Sequence, residues 1–145
     1  MNKKIIAILS LAILAVICMS AVSATSDGKQ ATISGVDYNI PSGFVEEKDL
    51  DVDAKMDIND YTVKMTGKGY TKNMSAFMVL VTEYSGMDIP DSLLDTLSGD
   101  MKKINGVTGR QDYNGTYTTF SYLKNGKLVV VSATDDSLLG KIVVK

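Results

Sequence analysis

Histidine and tryptophan are absent from the 145 residues, and the single cysteine, Cys18, lies inside the apolar N-terminal run. Without histidine there is no Ser-His-Asp triad, and the usual zinc, copper and haem ligand sets are missing. Cys18 sits within the segment read below as a cleaved signal. The residue before it, Ile17, is larger than lipoprotein processing accepts, so Cys18 reads as an apolar signal residue. The domain that follows has no disulfide framework and must be held by its core. There is no basic stripe. With Lys3 and Lys4 assigned to the N-terminal segment, 13 basic and 17 acidic side chains remain, a net of −4, which sets nucleic acid aside as a partner. Gly67-Lys68-Gly69 is a lone GxG with no following helix, so it reads as glycines breaking a strand and not as a phosphate loop.

The sequence opens with Lys3 and Lys4, an apolar run from Ile5 to Met19 interrupted only by Ser10, and Val22-Ser23-Ala24. A charged start, a short apolar region and small residues are the parts of a secretory signal, with cleavage expected after Ala24. The run is shorter than the roughly 20 residues of a membrane span, so no span is expected after cleavage. An uncleaved N-terminal anchor is the alternative. The expected organisation is a signal peptide over 1–24, a flexible polar lead over 25–30 and one domain over 31–145. Its size suits a single core.

Within that domain, Ala31 to Ile40 alternates apolar and polar residues and predicts two short strands or one bent one, ended by Pro41-Ser42-Gly43. Tyr61 to Thr66 alternates as well. Ser75 to Thr82 is the most apolar run of the domain and predicts a central strand buried on both faces. Asp88, Pro90 and Asp91 stand in the order of a helix start, and Leu93, Leu97, Met101 and Ile104 recur at helical spacing, with Asn105-Gly106 as the stop. Asn114-Gly115 and Asn125-Gly126 are hairpin signals between strands at about Val107–Tyr113, Thr116–Leu123 and Lys127–Ala133. Asp135-Asp136-Ser137 begins a short closing helix through Leu138, Leu139, Ile142 and Val143. The expected fold is α+β: an antiparallel sheet in the order β-β-β-α-β-β-β-α, with one amphipathic helix and a short C-terminal helix packed on it.

Three phrases carry a resemblance. Val36 to Phe44 resembles a "V-x-F-N-I-P-x-G-F" opening, Lys103 to Gly109 an "INGxxG" link, and Phe120 to Val129, followed by Asp135 to Leu139, an "F-S-Y-x-x-x-G-K-L-V" hairpin with "D-x-x-L-L". This order is similar to a group of small secreted proteins of methanogenic archaea. It implies export and carries over no catalytic residue. The element order is more loosely similar to PsbP/Mog1-type α/β/α sandwiches, a likeness of fold alone.

Residues 49–60, DLDVDAKMDIND, are the most pointed candidate for chemistry. Asp49, Asp51, Asp53, Asp57 and Asp60 fall at the oxygen-ligand positions of a calcium loop. Ala54 stands where such a loop needs glycine, and Asp60 is shorter than the bidentate glutamate. Leu50, Val52, Ala54, Met56 and Ile58 fill the even positions, the pattern of a half-buried strand with an acidic outer face. Such a face also blunts a sheet edge against self-association. Asn73-Met74-Ser75 and Asn114-Gly115-Thr116 are acceptor sequons, which makes Asn73 and Asn114 candidate glycosylation sites. The seven tyrosines read as packing residues of a sheet, with glycan stacking or interface anchoring as the alternative. Together these features predict an exported, non-enzymatic domain, secreted or attached to the cell surface, that binds an envelope protein or a glycan. No cofactor is expected. A calcium-binding module using the five aspartates is the alternative, and a carboxylate-based hydrolase is a further one.

Overall fold

The computed structural model describes residues 28–145. The expected signal over 1–24 and the first part of the lead lie outside the described residues. Gly28 to Gln30, at the end of that lead, are described, and Lys29 and Gln30 pair with Ile40 and Asn39.

Among the described residues nine strands form: β1 (Lys29–Ile33), β2 (Val36–Ile40), β3 (Val45–Ile58), β4 (Tyr61–Lys72), β5 (Ser75–Tyr84), β6 (Asp100–Ile104), β7 (Val107–Tyr113), β8 (Thr118–Lys124) and β9 (Lys127–Ala133). A 3-10 helix spans Asp91–Thr96, and a 3-10 turn at Asp136–Leu138 runs into the one-turn helix α1 (Leu139–Ile142). Strands β3 to β9 make a seven-stranded antiparallel sheet in the order β3-β4-β5-β9-β8-β7-β6, and β1 and β2 make a separate hairpin. The two most apolar strands, β5 and β9, pair at the centre, where both faces are covered.

The two faces bury different side chains. The first holds Phe77, Val79 and Val81 of β5 with Phe120, Tyr122, Val129 and Val131, closed by Val36 and Tyr38 of the hairpin and by Leu139 and Ile142 of α1. The second holds Met65, Leu80, Leu128 and Val130, closed by Leu93 of the 3-10 helix and by Ile89 just before it. Towards the β3 edge this second cover runs out, and Val52, Ala54, Met56 and Ile58 are only half-buried.

The α+β expectation is overturned. Strand accounts for 63% of the described residues and helix for 11%, so the protein is a β-sheet protein with a tiny C-terminal helix. The amphipathic helix across 93–104 does not form. Its four stripe residues part company: Leu93 and Leu97 pack on the second face, Met101 is exposed, and Ile104 packs on the first. The cause is local. Leu97 is already extended, and Gly99 takes φ +91, where a Cβ would stand 2.1 Å from the Gln111 carbonyl oxygen. Only glycine fits that approach to β7. Asn105 and Gly106 then adopt φ 49 and 81, so the Asn-Gly read as a helix stop is a hairpin turn that gives β6 a partner in β7.

Two smaller departures have similar causes. Gly67 and Gly69 do not break β4, which runs unbroken for 12 residues. They clear room instead: a Cβ at Gly69 would stand 2.4 Å from that of Leu50, which folds over the strand where the β3 register shifts between Glu47 and Val52. Asn114-Gly115 belongs to a four-residue loop, because the Asn114 side chain accepts from both Thr116 N and Tyr117 N and delays β8 until Thr118.

Candidate functional site

β3 lies at the edge of the sheet, and among the described residues it has a neighbour, β4, on one side only. Its alternation sends Asp53, Lys55 and Asp57 to the first face opposite Thr66, Lys64 and Thr62, and Ala54 and Met56 to the second face opposite Met65 and Val63. The five aspartates of the calcium-loop reading are therefore strung along an extended chain. At about 3.3 Å per residue, Asp51 and Asp53 are roughly 6.6 Å apart along the strand, and Asp57 is roughly 13 Å beyond Asp53. Asp51 meets Lys68 Nζ at 3.4 Å, Asp57 accepts from Thr62 Oγ1 at 2.6 Å, Asp49 is exposed at the register shift, and Asp60 occupies the turn after β3. Among the described residues no three His, Cys, Asp or Glu side chains gather as a metal set.

Among the described residues Lys68 is the one cation paired with acids of this edge. It bonds Glu46 as well as Asp51, and the Glu46 hydrogen bond raises its pKa. Beside it, on the same face, Tyr38 and Tyr70 share a buried hydroxyl–hydroxyl hydrogen bond of 2.6 Å, and the Tyr70 ring stacks on Phe77 at 4.7 Å. Burial raises the pKa of both tyrosines, so the pair stays neutral and ties the β1–β2 hairpin to β4. Four of the seven tyrosines, Tyr38, Tyr70, Tyr117 and Tyr122, are buried, and Tyr61 and Tyr113 are exposed.

A concavity of about 610 Å³ opens where three separate segments meet: Pro41, Ser42 and Phe44 before β3, Lys72, Asn73 and Ser75 around the β4–β5 turn, and Asp135, Ser137, Leu138 and Lys141 at the C-terminal helix. Lys72 Nζ donates to the Ser42 carbonyl oxygen at 3.0 Å. Asp135 accepts from Ser137 N at 2.9 Å and caps the turn, and hydrogen bonds from Ser137, its side chain first and then its backbone N–H, lower the Asp135 carboxyl pKa. The volume is that of a small-molecule site, with two ammonium groups against one carboxylate. Sequence reasoning missed it because no single stretch contains it. One signal touches it: the sequon residue Asn73, at φ 55 in an exposed turn, stands on its rim. Asn114, the other sequon residue, is exposed in the β7–β8 loop.

No protein-family model matches the chain, and neither a curated protein nor a solved structure does. The fold and the edge geometry therefore stand on their own.

Proposed function

We propose that the chain is an exported, non-enzymatic domain of the cell envelope or exterior that acts by binding an envelope protein or a glycan. The observation that carries this reading is the asymmetry of β3: an open strand edge with acids on one face and a half-buried apolar row on the other. Large sheet surfaces of this kind serve recognition more readily than chemistry, which needs converging groups in a cleft. Export rests on the N-terminal segment and accords with the resemblance to secreted archaeal proteins. Two measurements test it. Mass spectrometry of the exported chain is expected to give Thr25 as its first residue; a chain starting at Met1 in the cytosolic fraction contradicts export, and one starting at Met1 in the membrane fraction indicates an uncleaved anchor. A photocrosslinker at Asp53 in intact cells is expected to yield one adduct of discrete mass, and failure to yield any adduct there or on the second face counts against the binding role.

A further inference from the structure

We infer that the outer edge of β3 over Val52–Ile58 receives one added strand, from a partner segment that alternates apolar residues with a basic–acidic–basic series. This deepens the binding role proposed above and rests on it. Three observations converge. First, the run is straight: the register shifts between Glu47 and Val52, and the next turn begins at Asn59, which leaves seven residues in regular extended pairing with β4. Their outward backbone N–H and C=O groups have no strand partner among the described residues, and such an edge accepts a strand through main-chain hydrogen bonds.

Second, the charges along that run are patterned. Asp53, Lys55 and Asp57 share the first face at spacings of two, so a strand laid beside them meets negative, positive, negative. Lys55 also stands directly opposite Lys64, a like-charge pair in which neither lysine forms an ion pair among the described residues. An acid in the middle of the incoming strand relieves that pair, and bases on either side answer the aspartates. Third, Ala54 and Met56 on the other face, flanked by Val52 and Ile58, are half-buried because the cover from the 3-10 segment stops short of them. Apolar side chains of an added strand fall on that face and extend the second core.

A second copy of this chain fits less well. The opposite edge, β6, carries Asp100, Lys102 and Ile104 on the first face and lacks the second cation. β6 is also only five residues long, with Lys102 and Lys103 exposed on it, a composition that guards an edge.

The test uses the secreted-length protein and two capped heptapeptides, Val-Lys-Val-Glu-Val-Lys-Val and its charge-reversed twin Val-Glu-Val-Lys-Val-Glu-Val. Both read the same in either direction, so the outcome does not depend on parallel or antiparallel addition. Amide hydrogen exchange and NMR titration are expected to show the first peptide protecting every second amide of Val52–Ile58, with affinity about tenfold above that of the twin, from three cross-strand charge pairs. The exposed triple substitution Asp53→Lys, Lys55→Glu and Asp57→Lys is expected to invert the preference. Equal binding of both peptides, no new protection on β3, or protection confined to β6 overturns the proposal. So does β3 protection that appears with protein concentration alone, since a second copy then fills the edge. Failure here leaves export intact, because that is read separately from the N-terminal mass.

Discussion

The two faces of the sheet are built to different standards. On the first, the β1–β2 hairpin and α1 lay Val36, Tyr38, Leu139 and Ile142 over the centre of the sheet, and Tyr38, Phe120, Val129, Val131 and Ile142 are wholly out of solvent. On the second, one short 3-10 helix and the residues before it supply Leu93 and Ile89, and the core thins out across β4 into the half-buried row of β3. The first face has what holds the domain together. The second retains an apolar margin that folding alone has not consumed, next to an open acidic edge. This difference is the reason for reading β3 as the working surface.

The comparison predicts unequal costs. Phe120→Ala, at the centre of the first face, is expected to destabilise by about 3–5 kcal/mol in urea unfolding. Met56→Ala, on the margin of the second, is expected to cost about 1 kcal/mol, since its side chain is only half removed from water. Comparable losses at the two sites would erase the asymmetry.

Gly99→Ala separates the sheet from the helix that the apolar spacing suggests. In a helix interior the substitution stabilises by about 1 kcal/mol. In the β6 entry, with φ +91 and the Gln111 carbonyl in the way, it is expected to destabilise by more than that. The sign of the change in unfolding free energy decides between them.

The tyrosines sharpen the picture of the first face. Tyr38→Phe removes a buried partner from the Tyr70 hydroxyl and is expected to cost about 1–3 kcal/mol. The Tyr122 hydroxyl is buried with no hydrogen-bond partner among the described residues, so Tyr122→Phe is expected to lie within about 0.5 kcal/mol of the parent or above it. Burial pushes the Tyr122 pKa from 10.0 up to about 12. The folded protein thus keeps a proton that the unfolded chain releases first. Its contribution to stability is whole below pH 10 and is lost as pH rises from 10 towards about 12. Alkaline unfolding followed by circular dichroism is expected to shift upward in pH for Tyr122→Phe. The smallest expected effect is that of calcium: aspartates spread along one strand cannot supply the six to eight oxygens the ion takes, so millimolar calcium is expected to leave the melting midpoint unchanged against chelator. An upward shift would restore the calcium module.

Much of the sheet was legible because its signals were local. Asn125-Gly126 closes the β8–β9 hairpin at φ 52 and 72, the apolar run at 75–82 is the central strand, and the alternation in DLDVDAKMDIND is an edge strand with its acids outward. The helix expected at 93–104 does not form because period and turn chemistry conflict there. Four apolar residues at helical spacing point to a helix, while Gly99 and Asn105-Gly106 carry turn chemistry that suits strands as well as a helix stop. What decided the matter was tertiary: β7 offered a strand partner, and the Gln111 carbonyl left no room for a side chain at 99. The cleft between residues 41–44, 72–75 and 135–141 had no linear signature, since chain reversals bring its walls together.

Whether the β3 edge is open is read by native-state hydrogen exchange along the strand. Alternation is expected over Val52–Ile58, with inward amides protected by β4 and outward ones exchanging fast, beside uniform protection in β5 and β9. Uniform protection of all seven residues in the dilute protein would mean that the edge is already covered, and would contradict an open edge.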